Sequence, residues 1–124
     1  MTAARRRVQG SVGHHSGAAA EACIALDYER RGFPIVRRRW RGKAGEIDLI
    51  ARDGEGLIFI EVKAGRSFDS AVSHLTPRQI ARLCSAAEEY LGTQPRGGLT
   101  DVRFDVALVD RHGGIRVIEN AIGH

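Results

Sequence analysis

The sequence predicts an α/β fold, a mixed sheet of four or five strands with two helices packed on it. Three observations carry this. Residues 45–63, GEIDLIARDGEGLIFIEVK, set two short apolar runs on either side of Asp53, Gly54, Glu55 and Gly56, the pattern of an antiparallel hairpin. One segment before the hairpin and one after it repeat apolar residues at helical spacing. Residues 102–109 alternate strictly and so read as a further strand. With 124 residues the chain can bury one core without staples.

The first 12 residues carry Arg5, Arg6 and Arg7 among small and polar residues, with no apolar periodicity, and read as a disordered basic arm before a single domain over 13–122. His14 and His15 lack a third ligand at metal-site spacing. A helix is predicted from an N-cap at Ser16 to a stop at Gly32. Ala18, Ala22, Ala25 and Tyr28 lie around one face of it, with Glu21 among them. A glutamate inside an apolar stripe needs either a function or an arginine at the stripe's edge.

In FPIVRRRWR, Pro34 forbids a helix interior and Ile35 opens an edge or first strand. Arg37, Arg39 and Arg41 would share one face, able to contact phosphates, with Arg38 and Trp40 on the other. Trp40 reads foremost as a core anchor.

In the hairpin, Ile47, Leu49 and Ala51 share one face of the first strand, and Glu46, Asp48 and Ile50 the other. On the second strand Ile58, Ile60 and Val62 oppose Leu57, Phe59, Glu61 and Lys63. Pairing Asp53 with Gly56 puts Asp48 opposite Glu61. Like charges so placed destabilise a sheet, so open water or a cation should offset them. Lys63 is one such cation. A divalent ion is the other, because Mg²⁺ accepts one or two carboxylates completed by waters and phosphate oxygens.

Residues 64–75 show little periodicity and read as a flexible loop beside the site, with Arg66 able to reach a phosphate. Thr76, Pro77 and Gln79 announce a second helix through a capping box. Its stripe is Ile80, Leu83, Cys84, Ala87, Tyr90 and Leu91, ended by Gly92. A Pro/Gly linker follows. Val102, Phe104, Val106 and Leu108 then form one face of a strand, with Arg103 and Asp105 neutralising each other on an exposed side. Residues 115–118 make a last strand before a loose tail.

The GAAAE run ending at Glu21, the hairpin with Asp48, Glu61 and Lys63, and VRFDV at 102–106 together resemble a known family. The hairpin trio looks like the metal-binding motif of PD-(D/E)XK nucleases. More narrowly, from about Gly13 to Val109 the chain is similar to the bacterial UPF0102 family, also called YraN, whose fold is thought to be endonuclease-like and to resemble archaeal Holliday junction resolvases. The resemblance implies a restriction-endonuclease-like αβββαβ core and phosphodiester hydrolysis of branched or otherwise structured DNA. It implies Asp48 and Glu61 as ligands of Mg²⁺ or Mn²⁺. Lys63 would position or deprotonate the attacking water, and Glu21 would complete the acidic cluster. Related families often carry a Lys or Gln near the site where Gln79 stands. A junction-resolving enzyme needs two active sites, which makes a homodimer compatible with the resemblance.

Charge agrees with a polyanionic partner. The net charge is +4, and Lys43 and Lys63 are the only lysines among 19 basic residues. Arginine favours bidentate phosphate contacts, so Arg37, Arg39, Arg41 and Arg66 are the expected nucleic-acid contacts, to DNA in the first instance. No run approaches the roughly 20 apolar residues of a membrane span, and no apolar stretch follows the basic start as in a signal peptide, so the expected compartment is the cytoplasm. No P-loop, dinucleotide fingerprint or nucleophile elbow is present. Two other readings stay open. One is a non-catalytic nucleic-acid-binding or adaptor module on the same fold. The other is a protein-interaction domain, which requires Leu57, Phe59 and Trp40 to form an exposed patch.

Overall fold

The computed structural model describes residues 13–122, with side chains from Gly17 onward. The basic arm over 1–12, the side chains of His14 and His15, and residues 123–124 lie outside the described residues. Helix α1 spans Gly13–Arg30, strand β1 Ile35–Arg41, β2 Glu46–Asp53 and β3 Gly56–Ala64. Helices α2 (Phe68–Ser73) and α3 (Pro77–Leu91) follow, then a 3₁₀ turn at Gly97–Leu99, β4 (Val102–Val109) and β5 (Ile115–Ile118). The strands form one five-stranded sheet in sequence order. All neighbours are antiparallel except β3 and β4, which run parallel because the connection between them crosses back through α2 and α3. This is the mixed α/β sheet the sequence predicts, consistent with a restriction-endonuclease-like core.

Apolar side chains cover both faces of the sheet. On one, Ala20, Ile24, Ala25 and Tyr28 of α1 pack on Leu49, Ala51, Ile58, Ile60, Ala107 and Val109. On the other, Leu83, Ala86, Ala87 and Tyr90 of α3 pack on Ile47, Ile50, Leu57, Phe59 and Phe104. Trp40 joins this second cluster with its ring edge-on to Tyr90, centroids 5.2 Å apart. Leu57 and Phe59 are fully buried, so the exposed patch needed by a plain interaction domain does not form.

Several expectations are corrected. α1 starts at Gly13, placing Ser16 inside the helix rather than at its cap. Its buried residues are Ala20, Ile24, Ala25 and Tyr28, so Ala25 and Tyr28 lie inward as expected, whereas Ala18 and Ala22 face outward. A run of alanines fits several stripes equally; the bulk of Ile24 and Tyr28 decides which one is buried. Gly32 does end the turn, at φ 92°, with the Phe33 N–H donating back to the Tyr28 carbonyl.

The expected flexible loop at 64–75 holds helix α2. Ser67 caps it by accepting the Ser70 N–H, and its buried Ala71 packs on Val106 and Leu108 of β4. The approach is close because Gly65 has no side chain: a Cβ there would lie 2.6 Å from the Ala71 nitrogen. The tail is docked as well, since the Ala121 N–H donates to the Phe104 carbonyl at 2.8 Å.

Candidate active site

The β2–β3 hairpin has the register its turn dictates, from Asp53↔Gly56 to Leu49↔Ile60. Counting one step further sets Asp48 opposite Glu61. Regular pairing stops there. Alternation along the ladder would next give the Val62 N–H to the Ile47 carbonyl. It is donated instead to Asp48 Oδ2, at 2.8 Å.

The same level is irregular in β1. Arg38 pairs with Leu49 and Trp40 with Ile47, which leaves Arg39 opposite Asp48. Arg39 has φ 50°, in the left-handed region that a non-glycine residue seldom adopts. Side-chain alternation breaks on both strands here. Leu49 packs toward α1, whereas Ile47 and Trp40 pack toward α3. Ile47 therefore does not share a face with Leu49 as simple alternation requires, and Arg39 parts from the common face expected with Arg37, which pairs with Ile50 of the α3 side. A bulge between Ile35 and Arg37 adds to the irregularity of this edge strand.

The break brings four charged groups together. Glu61 Oε2 and Lys63 Nζ are 3.0 Å apart, with side chains 13% and 17% exposed. Glu21 reaches the cluster from α1 and accepts a hydrogen bond from Arg39 Nε at 2.8 Å. It thus has the arginine partner that its place at the stripe's edge required. Burial raises the Asp48 carboxyl from 3.8 to about 7, helped by the charges of Glu61 and Glu21; the Val62 N–H and Lys63 pull the other way. The structure thus places Glu21, Glu61 and Lys63 each within electrostatic reach of Asp48.

Asp48 and Glu61 fit a hard cation that keeps several waters, since their negative charges oppose each other and Asp48 Oδ2 accepts one backbone donor. They do not make an all-protein cage. Among the described residues no three His, Cys, Asp or Glu side chains converge as metal ligands.

Arg37, Arg39, Arg41 and Arg66 are all exposed, and Arg41 pairs with Glu46 at 3.1 Å. Gln79 is taken by the capping box: its N–H donates to Thr76 Oγ1 and its Oε1 accepts the Thr76 N–H, both at 3.1 Å. Asp105 does not face solvent, and Arg103 is only partly exposed. Asp105 is fully buried and accepts four hydrogen bonds, from Tyr28 Oη at 2.6 Å, Arg103 Nε and Nη2 at 2.9 and 3.0 Å, and the Asn120 N–H at 2.9 Å. The strand is covered by α1 on that side, so the acidic member of the pair is internal.

Two supports escaped sequence reasoning. Glu89 of α3 accepts the N–H groups of Lys43 and Ala44 and so clamps the loop that leads into β2. Tyr28 meets Asp105 across 77 positions. Neither has a local signature, because each partner lies far away in sequence. An open cleft of about 320 Å³ lies between the hairpin turn and the start of β4, lined by Asp53, Glu55, Arg96 and Asp101. It sits at the turn end of the hairpin, and neither Asp48 nor Glu61 lines it.

Comparison with known proteins places this arrangement in context. The sequence model of a family described as "Uncharacterised protein family UPF0102" matches residues 20–109, a span holding all four charged residues of the site. A UPF0102 protein of Ruegeria pomeroyi is 53% identical over 94% of each chain. One from Cereibacter sphaeroides is 54% identical over 92% of this chain and 97% of its own, and one from Roseobacter denitrificans is 42% identical over 91% and 88%. Among the described residues no helix is long and apolar enough to cross a membrane.

Proposed function

The chain belongs to the uncharacterised protein family UPF0102, and from that premise and the carboxylate pair at the end of its hairpin we propose a metal-dependent nuclease that hydrolyses phosphodiester bonds in branched or otherwise structured DNA. One observation carries the reading: at the point where the β2–β3 ladder ends, half-buried Asp48 faces the charge of Glu61, with Lys63 3.0 Å from Glu61. A stable sheet has no need for that repulsion. A cation-binding site does.

Asp48 and Glu61 would hold Mg²⁺ or Mn²⁺, which supplies Lewis-acid polarisation of the phosphoryl group and a more acidic water. The Val62 N–H fixes the Asp48 carboxylate, so its orientation does not depend on the ion. Lys63 orients the attacking water and offsets the negative charge that builds on the phosphoryl oxygens. Hydrolysis joins the water oxygen to phosphorus and breaks the bond to the leaving oxygen; the water yields one proton and the leaving oxygen takes one up. Arg37, Arg39, Arg41 and Arg66 supply exposed positive charge for the backbone of the substrate.

Cleavage of branched and linear DNA with Mg²⁺ or Mn²⁺ tests this. The wild type should cut, and Asp48→Ala and Glu61→Ala should each reduce the rate by about 10²-fold or more, on the scale of losing an electrostatic stabiliser of the transition state. DNA binding without cleavage would favour the non-catalytic module, a reading supported by the engagement of Glu21 and Glu61 with cations of the protein's own.

A further inference from the structure

Resting on the nuclease reading, we infer that Arg39 positions a substrate phosphate over the site and that Glu21 is the anchor of Arg39 rather than a ligand of the metal. Three observations converge on this pair. Arg39 holds a left-handed backbone, φ 50°, at the level of Asp48 where the alternation of β1 and β2 breaks. Such a conformation is unfavourable for a long side chain and persists where surrounding structure imposes it. Its result here is that Arg39 turns toward α1 and the acidic cluster while Trp40 enters the core on the other face.

The guanidinium is only partly used. Its Nε donates to Glu21 Oε1 at 2.8 Å, and no further hydrogen bond of Arg39 forms among the described residues. The side chain is 51% exposed, whereas Glu21 is 17% exposed. A planar fork held by Nε and open at Nη1 and Nη2 suits a phosphate. Arg103 is the contrast: its Nε and Nη2 are both spent on buried Asp105. Glu21, for its part, has an oxygen engaged with a cation of the protein's own, and among the described residues no three His, Cys, Asp or Glu side chains are placed to hold one metal ion. Glu21 thus acts through Arg39 as a positioning residue. The metal is left to Asp48 and Glu61.

The test separates charge from fold. Asn tolerates the left-handed region, so Arg39→Asn should melt at or above the wild-type temperature. Binding is read by fluorescence anisotropy on labelled branched DNA with Ca²⁺ replacing Mg²⁺, and Mg²⁺ binding by calorimetry. Arg39→Asn should bind this DNA about tenfold more weakly, with a log K against log salt slope shallower by about one. Glu21→Gln should weaken DNA binding but leave Mg²⁺ affinity unchanged, and should add nothing to Arg39→Asn. Wild-type DNA affinity in Arg39→Asn, or a loss of Mg²⁺ affinity in Glu21→Gln matching that of Asp48→Ala, would overturn the inference. An intact Arg39 effect in a protein that never cuts DNA would uphold the phosphate contact and sink the nuclease reading alone. A wild type that binds no DNA overturns both.

Discussion

At the scale of single residues, half-buried Asp48 and fully buried Asp105 are aspartates with opposite energetics. Asp105 is supplied with four hydrogen bonds, two of them from Arg103, and it ties α1, β4 and the tail together. Asp105→Ala strands the Tyr28 hydroxyl, the Arg103 guanidinium and the Asn120 N–H, and should destabilise the fold by about 3 kcal/mol or more in urea titrations. Tyr28→Phe removes one bond and should cost about 1 kcal/mol. Asp48 faces like charge, and its carboxyl titrates near 7 rather than 3.8. Between those values the folded state binds more protons than the unfolded chain, so this group's contribution to stability falls as pH rises and levels off above about 7. Asp48→Asn, which keeps an oxygen for the Val62 N–H, should therefore stabilise the metal-free protein at about pH 8, on the order of 3 kcal/mol, and the gain should vanish below about pH 4. A less stable Asp48→Asn at pH 8 would mean that the repulsion is already neutralised. Asp48 was legible in the sequence from the hairpin register. The environment of Asp105 was not, because alternation assigns it a face without saying that a helix covers that face.

At the scale of elements, turn chemistry was readable where it was local. The capping box of α3, the hairpin turn at Gly54 and the stop at Gly32 all stand where Thr76, Gln79 and the glycines put them. Helix α2 was missed because FDSAVS has only six residues, too short for a periodic stripe, and its stability comes from Ala71 packing on β4. Gly65 makes that contact possible. Gly65→Ala should push α2 off the sheet and cost about 1–3 kcal/mol, as overpacking of a close contact does. Faster amide exchange confined to 65–75 would locate the damage there. Wild-type stability in this variant would contradict the tight contact. The break in alternation at Arg39 and Asp48 was likewise hidden: period-two reasoning carries a strand's faces through to its end, and nothing in RRRWR marks a left-handed residue.

At the scale of the whole molecule, the order of elements and the mixed sheet followed from hydrophobic periodicity, and family membership followed from the hairpin together with its flanking runs. What lay beyond reach was how the sheet is interrupted, at one level across three strands, so that backbone pairing gives way to a cluster of carboxylates and cations. The central claim is that Asp48 and Glu61 in that interruption hold a divalent cation. Isothermal titration of Mg²⁺ at about pH 8 and about pH 6 tests it most directly, in the wild type and in Asp48→Ala/Glu61→Ala. Metal binding must displace the Asp48 proton, so wild-type affinity should fall about tenfold at the lower pH, and the double variant should bind at neither. Equal binding by the two proteins, or an affinity indifferent to pH, would contradict the account.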